Sequence, residues 1–291
     1  MARSTRRNTQ KTRRKYKGGD PNKCIFIHLG YNTSGLGNQL FVYAAGVVAK
    51  MKTGHKLCMH WSNENPHSKT DYRPLLLQGE SVESSDPRIP TSVPLHQGLG
   101  QFNAWSNKNI PSNSVDYYMM GSIYHTYNPI IKAVPTIRAD FKKVFAKMFP
   151  GFKINPKSAF VHVRRGDYLK AFQPYIPPIE YYKTGIEILK KAGIKNIYLI
   201  SDDMEWSKTN LNGLGLIPFE EKELTIEENE LKTLYLMSMC KDGAVLSPST
   251  YSAWGCMLGP DENKKSVIVY PKNWLGRSNN PHGWPSRWIG I

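Results

Sequence analysis

Residues 159–168 read Ala159-Phe-Val-His-Val-Arg-Arg-Gly-Asp-Tyr168. The run 158–163 is short, apolar and rich in β-branched and aromatic residues, which marks a buried strand. His162 lies inside it, and Arg164 and Arg165 stand where it ends. Ligands of open parallel sheets bind just beyond the carboxyl ends of the strands, so this is where two guanidiniums would meet one. A guanidinium presents a rigid fork of donors that matches phosphate oxygens. Gly166 permits a turn or a close approach, and Asp167 can hold an arginine or accept from a ligand N–H. The competing reading is a structural Arg–Asp pair closing a strand end, and the segment alone does not separate the two.

The flanking sequence favours the ligand. Apolar runs alternate with helical periodicity from residue 157 onward. A strand over 196–200 leads into Ser201-Asp202-Asp203, one over 243–247 into Pro248-Ser-Thr-Tyr-Ser252, and one over 266–270 into Pro271-Lys-Asn-Trp274. One helix begins near Pro178, carries Ile179, Tyr182, Ile186 and Leu189 on one face, and stops at Gly193. A second carries Leu231, Leu234, Tyr235 and Met237 towards Cys240. Its acidic approach, 220–230, reads as charge complementing a helix dipole. Alternation of this kind predicts a parallel sheet with right-handed crossovers, so the loops after the strands gather at one edge. Two arginines, an acid pair and a set of hydroxyls then share one crevice suited to a nucleoside diphosphate. In this reading Arg164, Arg165, Ser249, Thr250 and Ser252 hold phosphates, Asp203 accepts from guanine, and His162 meets the ribose or a phosphate. Each also has a structural alternative, Asp202 and Asp203 as helix caps and Ser249 and Thr250 as a turn.

The first half opens with a strand over 24–29, a loop containing Gly35-Leu-Gly-Asn38, and a helix over 39–52 with Leu40, Tyr43, Ala44, Val47 and Val48 on one face. This is a β-α unit whose helix start attracts anions. It lacks the third glycine of a dinucleotide fingerprint and the lysine of a P-loop. A strand over 56–60 follows. Residues 61–115, rich in Ser, Asn, Pro and Gly, read as long site-shaping loops. A strand over 115–120 and a helix over 128–148, interrupted at Pro135, complete this half, and 149–156 reads as a linker. The expected units are a basic tail (1–19), an acceptor-side α/β domain (20–155) and a nucleotide-sugar domain (156–291).

Eight of the 39 basic residues fall in 1–17 without one acid, leaving 31 against 23 acids in the remainder, itself a surplus that suits an anionic substrate. The tail lacks apolar periodicity and reads as disordered, able to contact nucleic acid or an anionic surface without sequence preference. There is no transmembrane run and no signal-peptide core, so a soluble, cytoplasmic protein is expected. Cys24, Cys58, Cys240 and Cys256 have no metal-binding spacing and read as buried, reduced thiols. No Asp-x-Asp occurs, so a divalent ion held by that sequence is not indicated, and neither Gly-x-Ser-x-Gly nor His-Glu-x-x-His is present; a diphosphate crevice beside a loop-rich α/β half points to sugar transfer from a nucleotide sugar.

Four motifs occur in order. They are Gly35-Leu-Gly-Asn-Gln-Leu-Phe41 with Tyr43-Ala44, Val161-His-Val-Arg-Arg-Gly-Asp-Tyr168, Tyr198-Leu-Ile-Ser-Asp-Asp-Met-Glu-Trp206 and Ser247-Pro-Ser-Thr-Tyr-Ser-Ala-Trp-Gly255. Together they resemble the α-1,2-fucosyltransferase family, glycosyltransferase family 11. That resemblance implies a GT-B fold, two Rossmann-like halves facing a cleft, and metal-independent, inverting transfer of fucose from GDP-fucose to the 2-hydroxyl of a galactose in a glycan. It assigns Arg164 to the leaving diphosphate, His162 and Asp203 to the nucleotide, Ser249 and Thr250 to phosphate or nucleoside, and Gly37 and Asn38 to the pyrophosphate from the facing half. Pro248 and Ala253 depart from the family's Asn and Trp. The Arg/Lys-rich tail ending in Gly-Gly is similar to those of some large DNA virus proteins, which would place the chain in a host-cell cytoplasm. No base is legible; His28, Asp71, Asp116 and His125 are candidates in the acceptor half. Another donor or acceptor, or a non-catalytic basic protein that binds nucleic acid through 1–17, are the alternatives.

Overall fold

The computed structural model describes residues 23–29, 35–61, 70–83, 85–87, 89, 117–120, 127–221, 223–274 and 283–291. The basic tail, most of the 61–115 stretch, Asp116 and His125 lie outside the described residues. In the first half β1 (Cys24–Leu29) leads to α1 (Leu36–Thr53), β2 (Lys56–Trp61), β3 (Glu80–Val82) and β4 (Tyr117–Met120). These strands form one sheet in the order β3-β2-β1-β4, every pair parallel. The helix expected over 128–148 is two, α2 (Tyr127–Ile130) and α3 (Val134–Met148), divided by a turn. Pro135 sits in the first turn of α3, where its missing N–H costs no helical bond.

The second half contains β5 (Ser158–Val163), the short α4 (Tyr168–Ala171), α5 (Ile179–Lys191), β6 (Asn196–Ser201) and α6 (Met204–Asn210). After these come β7 (Ile217–Pro218), α7 (Ile226–Met239), β8 (Gly243–Val245), α8 (Thr250–Leu258), β9 (Val267–Tyr270) and β10 (Ile289–Gly290). The second sheet runs β10-β9-β8-β5-β6-β7, again with all pairs parallel. The two-residue β7 and β10 are too short to leave a periodic signal in sequence.

Strand β5 is buried along its whole length, as a parallel strand covered on both faces must be. Its residues alternate between two apolar clusters. Ala159, Val161 and Val163 pack with Tyr182, Ile186 and Leu189 of α5, and Phe160 joins a larger cluster containing α7 and α8. That larger cluster also contains Ile25 and Ile27 of β1 and most of α1, so one apolar core passes from one sheet to the other. Phe41 of α1 meets Trp254 of α8 edge to face at 5.4 Å. The halves are thus fixed against each other through α1 and α8.

Cys24 and Cys58 are not free thiols, as the spacing had suggested; they form a disulfide between β1 and β2, with Cα atoms 5.9 Å apart. Both side chains fall on one face of neighbouring strands, within bonding reach. That proximity comes from strand pairing and has no counterpart in sequence spacing. Cys240 and Cys256 are free and buried, as expected.

Candidate active site

In each sheet the chain leaves its first strand in one direction and later returns to the strand's other side. The switch falls between β1 and β4 in the first sheet and between β5 and β8 in the second. Crevices form at such points, beyond the carboxyl ends of the strands. The segments that follow β5 and β8 border a cavity of about 710 Å³, and the start of α1 faces it from the other half.

Two helix starts meet there. Thr250, the first residue of α8, donates its hydroxyl to Asn38 Oδ1 in the first turn of α1 at 2.8 Å. The approach is so close that a Cβ on residue 37 would lie 2.4 Å from the Tyr251 backbone nitrogen, so only glycine fits. Neither helix is capped by the side chain of its own N-cap residue, Gly35 or Ser249, and N–H groups at helix starts favour anions.

Arg164 brings a full positive charge to the same cavity. Its guanidinium pairs with Asp167 at 2.8 Å and Asp202 at 3.0 Å, and about a third of the side chain stays exposed. Tyr168 donates its hydroxyl to the Pro248 carbonyl at 3.0 Å, tying the loop after β5 to the loop after β8. Burial raises this phenol to about 12, so it remains a donor. His162 is buried, with Nδ1 2.6 Å from Ser247 Oγ. Burial first, and then the Arg164 charge, depress its pKa to about 3, so the ring is neutral at physiological pH.

Of the ten residues that the sequence placed at the donor, Gly37, Asn38, His162, Arg164, Asp167, Ser249 and Thr250 border the cavity. Arg165, Asp203 and Ser252 are not among its lining residues. The Arg165 guanidinium lies 3.7 Å above the Trp206 ring, and its Nε donates to Asp203 at 3.1 Å. Asp203 also caps α6 by accepting from the Trp206 N–H. Ser252 is wholly buried and accepts the Ser247 N–H. Arg165 and Asp203 make the contacts of the structural alternative, an Arg–Asp pair and a helix cap: a strand end followed at once by a helix needs a cap, and the nearest acid supplies it.

Among the base candidates, His28 packs against His60 with ring centroids 4.3 Å apart. Burial and then the His60 charge lower it to about 4. Asp71 is gripped by Arg73 at 2.8 Å. Neither borders the cavity. Sequence reasoning missed Asp202 as the partner of Arg164, and it missed Glu230. The acidic stretch does start α7, where Thr225 and Glu228 form a reciprocal cap, yet Glu230 two residues on borders the cavity. The available signal was spacing: Glu227 and Glu230 are three apart, hence on one helix face. That face meets segment 70–72, Thr70 bonding Glu227 and Tyr72 bonding Glu230.

Residues 93–291 match the profile of Glycosyl transferase family 11. The chain belongs to that family. Its curated relatives include the O-antigen biosynthesis glycosyltransferase WbnK of Escherichia coli, 29% identical over 145 residues, covering 47% of this chain and 45% of WbnK. An α-1,2-colitosyltransferase of Escherichia coli is 27% identical over 141 residues, 46% of this chain and 47% of the relative. The chain therefore spans about half the length of these two relatives. Among solved structures, NodZ α-1,6-fucosyltransferase soaked with GDP-fucose superposes with a TM-score of 0.50 at 14% identity, covering 82% of this chain and 93% of NodZ. At that identity the likeness speaks for the fold, and this family member has the GT-B architecture of two parallel-sheet halves about a cleft.

Proposed function

We propose that this chain transfers fucose from GDP-fucose to the 2-hydroxyl of a galactose in a glycan, with inversion and without a metal ion. The observation that carries the reading is the convergence of two helix starts from opposite halves with Arg164 on one cavity. Such a site answers a leaving diphosphate, because its positive ends are fixed where negative charge grows. As the acceptor oxygen bonds to the anomeric carbon, the bond from that carbon to the β-phosphate oxygen breaks. Its electron pair stays on the diphosphate, which Arg164 and the N–H groups of α1 and α8 stabilise. Asp167 and Asp202 hold the Arg164 fork in place beforehand, which lowers the ordering cost. Gly37 admits the close approach of the halves, Asn38 and Thr250 lock it, and Ser249 adds a hydroxyl. Neutral His162 serves as a contact for the nucleotide.

The fucosyl donor is the one soaked into the structurally similar NodZ. The 1,2 linkage is the one in the colitosyltransferase's name, and the surplus of basic residues beyond the tail suits a GDP-sugar. The test is GDP release from GDP-fucose by the purified chain, in EDTA and then with Mg²⁺ or Mn²⁺, with and without lactose. Release stimulated by lactose in EDTA, and a product whose NMR spectrum shows a fucosyl-α-1,2-galactose linkage, are expected. Turnover of GDP-mannose but not GDP-fucose overturns the donor; dependence on added metal overturns the metal-free step.

A further inference from the structure

Five carboxylates border the cavity: Asp167, Asp202, Glu220, Glu221 and Glu230. Four of them are in salt bridges. Asp167 and Asp202 bind Arg164, Glu220 binds Lys208, and Glu221 binds Lys232. Among the described residues Glu230 has no cationic partner at salt-bridge distance. Hydrogen bonds hold it instead, and they come from the opposite half. Tyr72 donates its hydroxyl to Oε2, and the backbone N–H of Leu36, at the start of α1, donates to the carboxylate. Its own half anchors it from behind, since the Tyr251 hydroxyl bonds the Glu230 carbonyl at 2.6 Å. Glu230 is thus the cavity carboxylate that bridges the two halves, on the same cavity as Arg164.

We propose that Glu230 is the general base of the transfer, taking the acceptor hydroxyl proton as that oxygen bonds to the anomeric carbon. This rests on the donor reading above. In the step one O–H bond breaks and its proton passes to the Glu230 carboxylate. The new C–O bond forms, and the bond to the diphosphate breaks with its electron pair leaving on GDP. A base must sit between the acceptor side and the donor side of the cleft and must not be neutralised by a tight cation. Asp71 and His28 fail the first condition, and the other four carboxylates fail the second. The groups facing Glu230 set its basicity. Burial raises its pKa, Glu227 on its own helix raises it further, and Tyr72, Arg164 and the Leu36 N–H oppose the rise. A carboxylate so raised is a stronger proton acceptor than an exposed one.

The experiment compares wild type, Glu230→Gln, Glu227→Gln and Tyr72→Phe in GDP-fucose transfer to a saturating galactoside across pH 4–9, with GDP binding followed by thermal shift. Glu230→Gln is expected to lower kcat by about 10²–10⁴-fold, the usual worth of a positioned base, while keeping the shift given by GDP. Its acid limb disappears, and formate restores part of the rate. In wild type the acid limb lies above the ordinary glutamate range. It moves down in Glu227→Gln, which removes a like charge, and up in Tyr72→Phe, which removes a hydrogen bond to the ionised form. Glu230→Gln with kcat within threefold of wild type, or with the acid limb intact, overturns the assignment while leaving the donor reading standing. So does an acid limb unmoved in both neighbouring variants. A wild-type chain that is neither stabilised by GDP nor active on GDP-fucose overturns both.

Discussion

Arg164 meets two carboxylates before any phosphate arrives, and this makes its identity at once structural and chemical. Replacing it by alanine frees Asp167 and Asp202 and removes the charge proposed to meet the leaving diphosphate. The expected loss in kcat is about 10²–10³-fold, the range for one fixed donor at a developing anion. Arg164→Lys should recover part of it, because an ammonium supplies charge but no fork. Steady-state GDP release on protein with unchanged circular dichroism measures both. His162 gives a second prediction at this scale. Its folded pKa of about 3 lies below the ordinary 6.5, so below pH 6.5 the unfolded chain binds a proton that the folded chain refuses. Stability therefore falls as pH drops from about 6.5 towards 3, and His28 adds a fall of the same sign. Glu230 works in the opposite sense, because its raised pKa favours the folded state at low pH and that benefit is lost as pH rises through it. Urea midpoints between pH 7.5 and 4.5 should decline, and His162→Asn should flatten the decline.

Helix α1 acts through its first turn and α8 through its own, and the contact between them is backbone on backbone at Gly37. Gly37→Ala forces a methyl group into the Tyr251 amide, so the two helix starts must separate. Loss of most transfer activity, with a smaller loss of thermal stability, is the expected result; an active Gly37→Ala enzyme would show that the two starts need not touch. Helix α7 offers a contrast. The reciprocal cap by Thr225 and Glu228 secures its start, and Thr225→Ala should cost about 1 kcal/mol of stability. Because Glu230 lies in the same first turns, that variant should also lower kcat by more than the stability loss explains. The interruption at Pro135 and the acidic approach to α7 were legible in sequence because their chemistry is local. The reach of Glu230 was not, because its partners Tyr72 and Leu36 lie more than 150 positions away in the chain.

For the whole molecule the two sheets share one apolar core, so ligand binding in the cleft should stabilise both halves as one unit. GDP at 100 times its dissociation constant adds about 2.7 kcal/mol, and a single transition should rise by several degrees in a thermal melt. The disulfide makes a separate contribution. Closing a loop between cysteines 34 residues apart restricts the unfolded chain by on the order of 3–4 kcal/mol. Dithiothreitol should lower the melting temperature of wild type and leave that of a Cys24→Ser/Cys58→Ser double variant unchanged. No helix among the described residues is long and apolar enough to cross a membrane. The eight positive charges of residues 1–17 predict that any nucleic-acid binding is steeply salt-dependent and vanishes when they are deleted, with GDP release unaffected.

The sequence alone determined the alternation of strand and helix, the parallel sheets and the convergence of strand-end loops. Each depends on periodicity and chain direction, which are properties of neighbouring residues. It also marked Arg164, Asp167, Ser249 and Thr250, because a charged or hydroxyl residue just past a buried strand faces the crevice, whereas Gly37 and Asn38 were marked through the family resemblance. Only the tertiary structure decided which acid serves which base, that Arg165 stacks on Trp206, that Cys24 meets Cys58, and that Glu230 crosses the cleft. Those outcomes depend on distances between residues remote in sequence, and such distances exist only once the sheets are formed and packed.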